Sequence, residues 1–74
     1  MSTVKVIATN KQAGKILVAA SEVMADMKLG GYGVHELNSD ELSVIRINNL
    51  LLSGNELQLT AEDSKAFDLV CGGE

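Results

Sequence analysis

The sequence predicts a small α+β domain, ordered as a strand, a helix, three or four short antiparallel strands and a closing helix. Three observations point there. Val4, Val6 and Ala8 alternate with Thr3, Lys5 and Ile7, the period of a half-buried strand. Ala13, Ile16, Leu17, Ala20, Val23, Met24 and Met27 recur at the spacing of one helical face. Ile45 and Ile47, Leu50 and Leu52, and Leu57 and Leu59 each keep period two.

Residues 3–8 are rich in β-branched side chains and read as the first strand. Thr9 or Asn10 then offers an N-cap, and the apolar stripe carries a helix over residues 11–29. Gly30 and Gly31 supply its stop. Gly14 weakens the first turns by up to ~1 kcal/mol. A competing reading makes Val4–Thr9 and Lys15–Ala20 a hairpin around Lys11-Gln12-Ala13-Gly14, with a shorter helix from Ser21 to Leu29. That outline occurs in some dimeric DNA-binding folds, although no motif in the chain carries it. Gly30-Gly31-Tyr32-Gly33 reads as a turn; it follows a helix and lacks the spacing of phosphate-binding glycine loops.

Residues 34–60 admit two readings. In the strand reading, Val34–Leu37 precedes a turn at Asn38-Ser39-Asp40-Glu41, Val44–Ile47 follows, and Leu50–Ser53 pairs with Glu56–Thr60 across Gly54-Asn55, a favoured two-residue turn. In the helix reading, Ser39 caps a helix through Leu52, and the fold becomes mostly α with helices at about 11–29, 40–52 and 61–71. Adjacent Asn48-Asn49 and three β-branched residues among positions 44–47 favour strands. Thr60-Ala61-Glu62-Asp63 then matches an N-terminal capping pattern. Ala66, Phe67, Val70 and Cys71 make a short apolar stripe, so residues 61–71 read as a helix in both cases.

The chain has 74 residues, which makes residues 1–74 one compact domain. A single cysteine excludes an internal disulfide, and one cysteine with one histidine cannot complete a structural zinc site. Size scaling gives a folded surface of about 4,400 Å² against about 11,300 Å² unfolded, close to the limit at which a lone core suffices. A second copy of the chain is the remaining device, so a homo-oligomer is expected, with short strand edges such as Val4–Ala8 available for pairing. The longest apolar run, Ile16 to Ala20, is far too short for a secretory or membrane-spanning segment, and with no disulfide potential the chain is expected in the cytoplasm.

Chemistry is sparse. His35 is the only imidazole; in a strand it would lie on the opposite face from Glu36. Cys71 falls at a helix C-terminus, where the dipole disfavours a thiolate, and reads as core filler against Phe67. Asp40-Glu41 and Glu62-Asp63 lack the pattern of a calcium loop. No enzyme activity, cofactor or metal is therefore expected. Net charge is −4 and the aromatics are only Tyr32 and Phe67, which disfavours nucleic acid as a partner. The charge is uneven: residues 1–37 carry a net +1 and residues 38–74 a net −5. The expected function is that of a small acidic regulator, inhibitor or accessory subunit that binds protein and self-associates. The alternative is a dimeric DNA-binding regulator using the basic N-terminal segment. Candidate contact residues are Val18, Ala25 and Leu29, a second apolar line on the first helix interrupted by Glu22, and the acidic Asp40, Glu41, Glu62 and Asp63.

Overall fold

The structure is a computed structural model that describes residues 2–72. The order is β1 (Val4–Ile7), α1 (Asn10–Gly30), a 3-10 turn (Val34–Glu36), α2 (Ser39–Leu51), β2 (Glu56–Leu59) and α3 (Ala61–Cys71). Three helices cover one face of a two-stranded antiparallel sheet. The α+β class stands, but the strands expected between residues 34 and 53 do not form.

α1 starts where its cap chemistry places it. The Gln12 amide N–H donates to Thr9 Oγ1 at 3.1 Å, and the Thr9 N–H donates to Gln12 Oε1 at 2.9 Å. This reciprocal capping box commits residues 10–30 to one helix and removes the hairpin of residues 4–20. Gly31 ends the helix in the left-handed region at φ 69°, and the Tyr32 N–H returns to the Met27 carbonyl at 3.1 Å.

The second helix overturns the middle strands. Asn38, placed in a turn by the strand reading, caps α2 instead: its Oδ1 accepts from the Glu41 N–H at 2.8 Å, and its own N–H donates to Glu41 Oε1 at 3.1 Å. The side chains buried by α2 are Ser43, Val44, Ile47 and Asn48, a helical stripe in which polar and apolar residues share the core side. Packing against α1 and α3 therefore outweighs the β preference of Val44, Ile45 and Ile47. Val34–Leu37 becomes the 3-10 turn and the residue after it, and Leu50–Ser53 becomes the end of α2 and a turn.

Of the strands expected after residue 33, only the last forms, as β2, and its partner is not residues 50–53. It pairs with β1 in the register Val4 to Leu59, Lys5 to Gln58, Val6 to Leu57 and Ile7 to Glu56. Asn55 fixes the end of this pairing: its carbonyl accepts from the Ala8 N–H at 2.9 Å, and its Nδ2 donates to the Ala8 carbonyl at 3.1 Å. Alternation turns Leu57 and Leu59 into the core, where they join Ala8, Ile16, Ile47, Phe67 and Cys71. The opposite sheet face is polar apart from Ile7, with Thr3 donating to Gln58 at 3.0 Å and Lys5 lying 3.3 Å from Glu56. α3 follows the expected bounds, and Thr60 Oγ1 accepts from the Asp63 N–H at 3.1 Å.

Candidate functional site

The feature that sets up the molecular surface is a mismatch of helix lengths. α1 has 21 residues, α2 13 and α3 11, so at 1.5 Å per residue α1 runs about 31 Å against about 20 and 17 Å. α2 and α3 pack on α1, yet only Ile16 and Ala20 of α1 are fully buried, and nothing from Ser21 to Gly30 is. The molecule exposes 4810 Å², about a tenth more than its mass predicts.

The expected core stripe of α1 is divided between the inside and the outside of the molecule. Ala13, Val23 and Met27 are half-buried beside Ile16 and Ala20, whereas Leu17 and Met24 are 53% and 43% exposed. On the outer side lie the expected contact residues: Val18 is 59% exposed, Leu29 87%, and Ala25 is exposed between them. At 3.6 residues per turn, Leu17, Val18, Ser21, Met24, Ala25 and Leu29 share one outward face. The helix is therefore apolar on its inner side and, over much of its length, on its outer side as well. Sequence periodicity found Val18, Ala25 and Leu29 but placed Leu17 and Met24 inside. Periodicity gives the stripe but not its width: Leu17 stands at the stripe's edge, exposed although Ile16 beside it and Ala20 one turn on are fully buried.

Charge is arranged along the same helix. Lys11 and Lys15 lie in its first half, and Glu22 and Asp26 in its second half, with Lys28 in the last turn. A cleft of about 510 Å³ between α1 and α3 is lined by Lys15, Val18, Ala19, Glu22 and Val70. A smaller one of about 230 Å³ lies between α1 and the end of α2, lined by Leu17, Asn48, Leu51 and Leu52 among others. Both are flanked by the exposed α1 face.

The acidic candidates differ in exposure. Asp40 is exposed, and Glu41 is half-buried with its carboxylate closing the cap of α2. Glu62 is exposed at the start of α3. Asp63 is buried: its Oδ1 accepts from Arg46 Nη2 at 2.7 Å, and it also accepts from the Ser43 hydroxyl. Burial pushes the Asp63 carboxyl up, but the Arg46 guanidinium and the Ser43 and Thr60 hydroxyls together hold it below the usual carboxylate value. Arg46 is raised by its hydrogen bond to Asp63. This pair joins α2 to α3.

The candidate reactive groups lie apart. His35 is exposed in the 3-10 turn, while Cys71 is buried with Phe67 in the core, its thiol 3.7 Å from the Gln12 carbonyl. Among the described residues, no three His, Cys, Asp or Glu side chains converge in a way that could hold a metal ion. No helix among them is long and apolar enough to cross a membrane. Comparison with models of protein families, with curated proteins and with solved structures finds no match to this chain.

Proposed function

We propose that this chain is a protein-binding module, a small acidic regulator, inhibitor or accessory subunit that works by contact rather than by chemistry and self-associates in the cytoplasm. One observation carries the reading: the outward face of α1 presents Leu17, Val18, Met24, Ala25 and Leu29 to solvent on an ordered helix that is already anchored on its inner side. Contiguous exposed apolar surface on a small domain marks a contact site. The acidic surplus of residues 38–74 suits a basic protein partner, or keeps the assembled species soluble.

Sedimentation equilibrium from one to several hundred micromolar tests the self-association. A mass that rises from 7.8 kDa towards twice that value with concentration supports it. Replacing Val18 and Leu29 together by glutamate should return the mass to that of the monomer without loss of helical circular dichroism, because both side chains are exposed. A wild-type mass fixed at the monomer value across the range would refute it.

A further inference from the structure

We propose that the cleft between α1 and the end of α2 binds a small neutral molecule: an apolar body about the size of a benzene ring, carrying one group that both donates and accepts a hydrogen bond. This site goes beyond the self-association proposed above and does not rest on it.

The sequence builds the cleft by leaving a side chain out. On α1, Gly14 and Leu17 stand one turn apart on one face; on α2 and its cap, Asn48 stands one turn before Leu51 and Leu52. Where the two ridges meet, Gly14 has no side chain to offer, and a Cβ built there meets nothing within 4 Å. The space left is about 230 Å³.

Asn48 is the observation that points to an occupant. It is only 9% exposed. Ser43, the other buried polar residue of α2, spends its hydroxyl on Asp63 and Arg46. Among the described residues, the Asn48 carboxamide has no hydrogen-bond partner. No side-chain nitrogen or oxygen among those residues is both sealed from solvent and unpaired, so the carboxamide opens outward, and the opening it lines is this cleft. Asn55, at the same cleft, is already engaged, its Nδ2 donating to the Ala8 carbonyl at 3.1 Å.

The walls set the rest of the ligand. A carboxamide offers two donors and one acceptor, so a ligand carbonyl accepts from Asn48 Nδ2 while a ligand N–H or O–H donates to Oδ1. Three other clefts are lined in part by charged side chains, Asp68, Glu22 and Arg46 among them. This one has none, so an ionic ligand would lose its hydration without gaining a counter-charge. An apolar cavity of about 150 Å³ already holds benzene, whereas sites for larger ligands start at about 300 Å³. One ring with one polar group fits between those limits.

Benzamide, benzoate and benzene are the probes, titrated into isotope-labelled protein while the Asn48 side-chain amide and the Leu17, Leu51 and Leu52 methyl signals are followed. Benzamide should shift all four saturably, with a dissociation constant of about 1 mM or tighter. Benzoate, equal in shape but charged, should bind at least tenfold more weakly. Asn48→Ala should keep benzene binding and lose the preference for benzamide over benzene. Gly14→Leu puts a side chain into the open space and should abolish binding of both at unchanged helical circular dichroism. No saturable shift at these residues, benzoate equal to benzamide, an unchanged preference in Asn48→Ala, or wild-type affinity in Gly14→Leu would each overturn the site. Sedimentation of the same samples reads self-association separately, so either proposal can fail while the other stands.

Discussion

Arg46 Nη2 lies 2.7 Å from Asp63 Oδ1, so a half-exposed guanidinium on α2 neutralises a buried carboxylate on α3. Thr60-x-x-Asp63 reads as a capping box, in which the fourth side chain would reach back to the N-cap N–H. Here Thr60 does its half by accepting from the Asp63 N–H, while the Asp63 carboxylate turns across to α2. Ser43 stands between them, fully buried, donating to Asp63 and accepting from Arg46 at 3.2 Å.

The triad predicts an asymmetric response to mutation. Asp63→Ala leaves the buried Ser43 hydroxyl without its acceptor and should cost about 1–3 kcal/mol. Arg46→Ala leaves a buried carboxylate that water at the half-exposed site partly compensates, so the cost should be smaller, about 1–2 kcal/mol. Urea unfolding should show both as a shift in midpoint at unchanged slope. A larger loss for Arg46→Ala than for Asp63→Ala would contradict the shielding argument.

Asp63 also makes stability depend on acid. Its folded pKa is depressed, so the unfolded chain binds more protons between the two values, and stability rises with pH across that window. The contribution is complete above the unfolded value near 3.8 and is lost as pH falls through the lower folded value. Thermal melts from pH 5 to pH 2 should show a steeper decline for the wild type than for Asp63→Asn. Parallel curves would remove Asp63 from the acid response.

Two glycines of the first helix should respond in opposite directions. Gly31 holds φ 69°, so Gly31→Ala should cost about 1 kcal/mol. Gly14 lies in the helix with open space where a Cβ would stand, so Gly14→Ala should add about 0.5–1 kcal/mol. Denaturant midpoints measured at one protein concentration separate the two, because self-association makes stability depend on concentration.

Cys71 should label slowly. Its thiol is buried in the core with Phe67, so modification by a thiol reagent requires local opening. Cys71→Ser puts a hydroxyl in that apolar site and should destabilise by about 1–2 kcal/mol. Labelling of the native protein as fast as of the denatured one would contradict the burial.

Where sequence reading succeeded, short-range chemistry decided the outcome. Thr9 and Thr60 announce their helices by their position before an apolar stripe, and residues 56–59 alternate in a way only a strand uses. The middle failed because α2 spends two of its four buried positions on Ser43 and Asn48, so the apolar residues left visible, among them Ile45 and Ile47, mimic period two. Asn38 with Glu41 was the overlooked signal, since those residues form the same reciprocal cap as Thr9 with Gln12. The candidate surface was half legible. Val18, Ala25 and Leu29 stand outside the main stripe, whereas the exposure of Leu17 and Met24 depends on how wide a face of α1 the rest of the chain covers. That width belongs to the tertiary fold.

The antiparallel sheet also governs when this chain can finish folding. Thr3 finds its hydrogen-bond partner Gln58 at a separation of 55 residues, and every pair of the β1–β2 ladder spans a comparable distance. The helices need only their own neighbours in sequence, but closing so long a loop carries an entropic penalty that local contacts do not meet. On a ribosome, β1 emerges first and waits unpaired until α1, α2 and β2 have all been made. During that interval Val4, Val6 and Ile7 have no strand to pair with, so the sheet is expected to close late in folding.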